Sequence, residues 1–283
     1  MGTDRPHVEI AAATLAGGDK NQDRYAHGDG WAFVLDGASS FAQTQPEHDG
    51  GWYAERLKEA LAQELTEKSL DSTFNIVARA IEEASAPHND LETCPTSTIA
   101  LARWWDDAVE VYVLGDSTAV LIGAEGVDVL SDSRLSGIAG NVRDQYRTRL
   151  KEGHGFDDRH RELLQQLQAR QVGARNRPDG YWIAGAEVEA AHHGLVAARP
   201  CDSVRCVVLV TDGAAAGIWY EVVQSWEAFA AAEPTEVLQR VHRAEGTDRQ
   251  GISWPRSKVH DDKTAIVIGF HQSADPQVPR SGS

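Results

Sequence analysis

The sequence predicts an α+β fold in which antiparallel sheets are covered by helices. Seven short apolar, β-branched runs recur along the 283 residues, each bounded by Gly or Asp. Two segments of helical period stand next to each other between early and later strands. Strands and helices therefore do not alternate strictly, which argues against a doubly wound parallel sheet.

The elements follow in order. Residues 8–15 and 31–35 read as strands. Tyr53, Leu57, Leu61 and Leu65 fall four apart, and Phe74, Val77, Ala78 and Ile81 repeat at i, i+3, i+4 and i+7, which predicts two helices. Strands are expected at 97–103, 109–114 and 118–122. Gly115-Asp116-Ser117 between the last two reads as a hairpin turn. A third helix is expected at 161–170, with Leu163, Leu164 and Leu167 as its apolar stripe. A strand at 204–210 precedes helices at 222–231 and 235–244, and Pro234 suits the start of the second. The last strand is expected at 265–270. Residues 1–271 read as a single domain, and 272–283, rich in Ser, Pro and Gly, as a frayed tail.

Composition narrows the function classes. Hydrophobic residues make up 41% and charged residues 25%, as in a globular protein. The longest apolar runs, 206–210 and 265–268, fall far short of the roughly 20 residues a bilayer needs. Asp4, Arg5, His7 and Glu9 interrupt any apolar leader. Asp and Glu number 43 against 27 Lys and Arg, a net charge of −16. Nucleic acid and anionic membrane are disfavoured as partners. A small anionic substrate stays open if a bound cation reverses the local field. Cys94, Cys201 and Cys206 are odd in number and form no CxxC pair, which reads as reduced thiols in a cytoplasmic protein.

The aspartates are the informative feature. Asp36-Gly37 follows Trp-Ala-Phe-Val-Leu, and Asp116 follows Val-Tyr-Val-Leu-Gly. Asp212-Gly213 follows Val-Val-Leu-Val-Thr, Asp261-Asp262 precedes Lys-Thr-Ala-Ile-Val-Ile, and Asp23 lies just past the first strand. Asp-Gly after a strand is also a common turn, and for any one pair the turn reading stands. Together, carboxylates at several strand mouths can converge at one end of a sandwich. There they raise one another's pKa unless a cation sits among them, and Mg²⁺ or Mn²⁺ suits such oxygen ligands.

The series Asn21-Gln22-Asp23, Val34-Leu35-Asp36-Gly37, Ser97-Thr98-Ile99-Ala100, Leu114-Gly115-Asp116-Ser117, Val210-Thr211-Asp212-Gly213 and Asp261-Asp262-Lys263-Thr264 resembles the PPM-type metal-dependent serine/threonine phosphatases (protein phosphatase 2C-like) of bacterial type. The resemblance spans roughly residues 7–270. It implies an α-β-β-α sandwich with a metal site at one end and two Mn²⁺ or Mg²⁺ ions with a bridging water as nucleophile. By that resemblance Asp36 bridges the ions and Gly37 offers its carbonyl. Asp212 and Asp261 are ligands, Asp23 holds a metal-bound water, and Asp116 belongs to a weak third site. Asp36, Asp212 and Asp261 are then the catalytic set.

Several positions depart from the family pattern. Asp36-Gly37-Ala38-Ser39-Ser40 has no histidine to protonate a leaving group. His48 follows in the same loop, and its plainer reading is a solvated histidine. Ala16-Gly17-Gly18-Asp19 stands where members have a phosphate-gripping arginine, with Lys20 and Arg24 the nearest cations. Gln22 replaces a frequent acid, and Ala216 replaces a further carboxylate after Asp212. The arginine-rich segment 131–193 occupies the chain position of the family's flap. It reads either as a substrate-selecting insert or as a solvated helical one.

The expected activity is hydrolysis of phosphoserine or phosphothreonine. Two alternatives stay open. One is a pseudophosphatase serving as a binding or regulatory module, and the other is a phosphatase of a small phosphorylated metabolite.

Overall fold

Two antiparallel sheets stack face to face, and alternation along their strands decides what each face meets. The structure, a computed structural model, describes residues 7–38, 47–68, 70–88 and 93–271. The chain opens with β1 (His7–Leu15), β2 (Asp23–Gly28), β3 (Trp31–Ala38), α1 (Gly50–Glu67) and α2 (Thr73–Ser85). It continues through β4 (Thr96–Ser97), β5 (Ile99–Trp104), β6 (Ala108–Leu114), β7 (Thr118–Gly123) and β8 (Gly126–Ser131). Then come α3 (Arg134–Gly137), α4 (Gly140–Lys151), α5 (Asp158–Ala174), β9 (Leu195–Pro200) and β10 (Val204–Val210). It ends with α6 (Asp212–Trp219), α7 (Trp226–Ala230), α8 (Pro234–Thr247) and β11 (Lys263–His271). One sheet has the order β1-β11-β10-β7-β8 and the other β2-β3-β5-β6-β9, with β4 pairing β3.

In β3, Trp31, Phe33 and Leu35 pack under α1 and α2 with Tyr53, Leu57, Leu61 and Ile81. Ala32 and Val34 point the other way, into the core between the sheets, where they meet Val111, Leu121, Val207, Leu209, Ile266 and Ile268. Both faces are buried, so these strands read as unbroken apolar runs. Val208, Val210 and Ala265 face outward under α6, α7 and α8 with Ala214, Phe229 and Leu238. The result is the predicted helix-sheet-sheet-helix layering. Ser72 caps α2 by accepting from Asn75 N–H, and Asp49 caps α1 by accepting from Trp52 N–H. No helix among the described residues is long and apolar enough to cross a membrane.

Four local expectations are corrected. Gly115-Asp116-Ser117 is not a hairpin turn. β6 and β7 belong to different sheets, and the chain crosses between them there. Gly115 takes φ +81°, and a Cβ on it would meet Thr98 Cγ2 at 2.9 Å. Asp212-Gly213 opens α6 rather than turning. Ala214 and Ala215, which look featureless in sequence, are that helix's contact with the sheet. The helix expected at 222–231 is only α7, five residues long. The strand expected at 97–103 is interrupted at Thr98, whose hydroxyl accepts from Asp36 N–H at 3.3 Å. Strands β2, β8 and β9 and helix α4 were not expected, because their polar residues mask the period. The segment 131–193 forms a helical hairpin of α4 and α5 with its own small core of Val142, Tyr146, Leu150, Leu163 and Leu167. The tail 272–283 lies outside the described residues.

At the head of β11, Lys263 is fully buried and its ammonium lies 2.7 Å from Glu245 Oε2 of α8, itself only 2% exposed. The ammonium also donates to the Asp261 carbonyl at 2.6 Å. Removing one partner of a buried pair strands the other charge in low dielectric. Glu245→Gln is therefore expected to destabilise the fold by about 3–5 kcal/mol in urea unfolding. A loss below about 1 kcal/mol would show that water reaches Lys263.

Candidate metal centre

The alternation that buries Ala32 and Val34 between the sheets carries Asp36 onto the same inner face at the end of the core. The β2–β3 ladder sets Asp23 directly opposite Asp36. From the other sheet, Thr211 at the end of β10 donates its hydroxyl to Asp23 Oδ2 at 2.8 Å. The Thr211 hydroxyl in turn accepts from Thr264 N–H at 2.9 Å. Asp23 Oδ1 is buried and has no hydrogen-bond partner among the described residues.

Asp212 is the first residue of α6, and its charge is felt at Asp36. Burial pushes Asp212 up to about 8, with Asp261 and Asp116 adding repulsion. Burial also drives Asp36 well up, helped by the charges of Asp23, Asp212 and Asp261. Asp23 is pushed up to about 7, mainly by burial, against its threonine hydrogen bonds. Asp116, on the crossover, is raised by burial and then by Asp261 and Asp132, while Arg143 opposes. All five expected aspartates thus lie within electrostatic reach of one another.

They are not drawn into one tight shell. Among the described residues, the triplets whose ligand atoms lie within 4.8 Å of one another are elsewhere: His7, Glu9 and His271, and His242, Glu245 and His260. The first triplet is exposed, and in the second Lys263 already neutralises Glu245.

Close backbone packing holds the cluster. A Cβ on Gly37 would meet Gly50 O at 2.3 Å and Gln22 O at 2.7 Å, so glycine is required by the start of α1. A Cβ on Gly213 would meet Asp262 O at 2.0 Å, and one on Gly17 would meet Asp261 C at 2.4 Å. Asp262 differs in role from Asp261. It accepts from Gly17 N–H at 2.7 Å and Gln22 N–H at 2.8 Å, clamping the β1–β2 loop. Asp261 instead turns its carboxylate to Lys258, with Nζ at 2.7 Å from Oδ1.

The other sequence candidates are engaged elsewhere. Lys20 pairs with Asp49 at 3.2 Å. Arg24 pairs with Glu55 at 2.5 Å and donates to the carbonyls of Asn21 and Asp23. His48 stacks on Trp52 at 4.1 Å. Most insert arginines turn to local partners: Arg149 to Asp157, Arg161 to Asp158, Arg170 to Asn141 and Arg175 to the Cys94 carbonyl. Ala216 is buried on α6. Sequence reasoning passed over Asp132, which is buried and paired to Arg134, and Lys258.

An orphaned buried carboxylate oxygen and an all-oxygen donor set fit a hard divalent cation. Asp23, Asp36, Asp212 and Asp261, with the Gly37 carbonyl, could hold it.

A family model described as protein phosphatase 2C matches residues 12–250. The fold is similar to that of the Mycobacterium tuberculosis serine/threonine phosphatase PstP/Ppp, with a TM-score of 0.55 and 16% identity over 94% of this chain and 99% of that one. The PstP catalytic domain in complex with 2 manganese ions matches with a TM-score of 0.55 and 15% identity, again over 94% and 99%. The PPM Ser-Thr phosphatase MsPP from Mycobacterium smegmatis, in complex with cacodylate, gives 0.55 and 16% over 93% and 98%. At these identities the likeness shows the fold. No curated protein matches by sequence.

The raised carboxylates set a pH dependence. Unfolded aspartates release their protons near pH 4, whereas the folded metal-free cluster keeps them to higher pH. The stability they contribute is fully present below about pH 4. It is lost as pH rises through about 7 for Asp23 and about 8 for Asp212. Mn²⁺ is therefore expected to raise the thermal midpoint more at about pH 8.5 than at about pH 5, measured against chelator-treated protein. Equal stabilisation at both would mean that the cluster titrates like exposed aspartate.

Proposed function

The chain belongs to the protein phosphatase 2C family, and on that premise we propose that it is a metal-dependent phosphatase acting on phosphoserine and phosphothreonine in proteins. One observation carries the reading: aspartates from both sheets gather at one end of the sandwich, with Asp23 directly opposite Asp36 across β2 and β3 and tied to the other sheet through Thr211. Two divalent ions, Mn²⁺ or Mg²⁺, would supply Lewis-acid charge and a water acidic enough to attack phosphorus.

The chain's own groups do the rest. Asp36, from β3, and Asp212, from the start of α6, would hold the ions. Asp261 completes the set from the turn before β11. Asp23, bound through one oxygen to Thr211, keeps its other oxygen to accept a proton from a water. Asp116, on the crossover, serves a weaker third ion, because Ala216 has no oxygen to offer there. The helical insert at 131–193 carries Arg143, whose charge is felt at Asp116, and we read it as the element that would select substrate. Cys94, Cys201 and Cys206 form no disulfide among the described residues, which suits a cytoplasmic setting.

A second reading, a pseudophosphatase that binds without turnover, draws on the engagement of Lys20 and Arg24 with Asp49 and Glu55. The deciding experiment is hydrolysis of an aryl phosphate and of a phosphothreonine peptide, with Mn²⁺ and with chelator. Turnover is expected with Mn²⁺ only. Asp36→Asn and Asp212→Asn are expected to cut it by about 10²–10³-fold or more while the protein stays folded. Asp116→Ala should cost less. Full activity in chelator would remove the metal reading, and phosphopeptide binding without turnover would establish the second.

A further inference from the structure

The nearest cations to the Asn21-Gln22-Asp23 segment are committed to Asp49 and Glu55, and the phosphate of a monoester carries a charge near −2 at neutral pH. Some group must offset that charge at the mouth of a carboxylate cluster. Lys258 lies there. Its Nζ is 2.7 Å from Asp261 Oδ1, and its side chain is 59% exposed, so the ammonium sits at the rim and not in the core.

The loop that presents it is rigid. Asp248 Oδ1 accepts from Ile252 N–H at 2.9 Å, and Asp248 Oδ2 accepts from Trp254 N–H at 2.9 Å. The buried Arg256 guanidinium then ties Asp248 Oδ2, the Trp254 carbonyl, the Glu245 carbonyl and the Val259 carbonyl together at 2.9–3.0 Å. Lys258 is thus fixed at its backbone on both sides while its side chain reaches over the aspartates. Partial desolvation works against its charge, but Asp261, Asp36 and Asp212 outweigh that and keep it protonated.

We propose that Lys258, presented from the far end of the chain beside Asp261, is the residue that grips the substrate phosphate. The proposal rests on the phosphatase reading. In the metal-free protein the ammonium neutralises Asp261. Once that carboxylate serves a divalent ion, the ammonium loses its partner and is repelled from the ion. A phosphate oxygen at the rim is then its best acceptor, and lysine binds phosphate as a point charge.

The test uses the full chain, Lys258→Gln and Lys258→Arg. Calorimetry measures Mn²⁺ binding, then inorganic phosphate binding to the Mn²⁺-loaded protein, and steady-state kinetics with an aryl phosphate give KM and kcat. Loss of one charge-assisted bond predicts about 10- to 100-fold weaker phosphate binding and a similar rise in KM for Lys258→Gln. Mn²⁺ affinity should be unchanged or tighter, and Lys258→Arg should recover most of the phosphate affinity. Unchanged phosphate affinity in Lys258→Gln would overturn the proposal and leave Lys258 a counter-ion of Asp261. So would a loss of phosphate affinity explained by a matching loss of Mn²⁺ affinity. If the unmodified protein binds phosphate through Lys258 yet turns over no substrate, the phosphatase reading fails and the phosphate subsite stands.

Discussion

Burying carboxylates beside one another at the end of an apolar core is the constraint on which this structure turns. Asp36 is placed there by simple alternation, two residues beyond Val34 on the inner face of β3. Asp23 follows by cross-strand pairing, and Asp212 by the entry of α6. Burial and mutual repulsion raise Asp23, Asp36 and Asp212. Much of the surrounding design holds such a cluster together. Gly17, Gly37 and Gly213 let three backbone segments approach more closely than any side chain would allow. Asp262 clamps the β1–β2 loop, and Lys263, buried with Glu245, holds the carbonyl of Asp261. A site that repels itself needs a stiff frame, and here the frame is mostly backbone.

Sequence reasoning reached the layers and the aspartates because both have short-range signals. Apolar strands bounded by Gly and Asp stand out, and so do α1 and α2, whose apolar stripes face one sheet. The misses have physical causes. The crossover at Gly115 has the composition of a hairpin, and only the partner strands reveal that β6 and β7 part company. Asp212-Gly213 carries a turn signal, yet the small side chains of Ala214 and Ala215 let a helix lie flat on the sheet. Asp261 and Asp262 are adjacent and chemically equal. Their different roles depend on Gly17 and Gln22, some 240 residues away, which no local pattern contains.

Lys258 and Lys263 make the same point with opposite charge. Five residues apart, they flank the same aspartate pair. Lys263 belongs to β11 and is sealed against α8, so it is a structural charge whose partner, Glu245, cannot be spared. Lys258 belongs to a loop held by Arg256, so its backbone is fixed and its ammonium is left at the rim. Burial separates the two roles, and burial is decided by which element each residue enters.

Charge counting shows why the rim lysine matters to the proposed chemistry. Five ionised aspartates outweigh two divalent cations by one negative charge. A phosphate dianion would then approach a pocket that still repels it, on a protein whose net charge is already −16. Lys258 brings that local balance to neutrality before the substrate arrives. In a family member with the usual arginine near its Asn-x-Asp segment, the phosphate would find its counter-charge on the β2 side of the cleft. Here Arg24 is paired with Glu55, and the proposed counter-charge lies on the β11 side, beside Asp261.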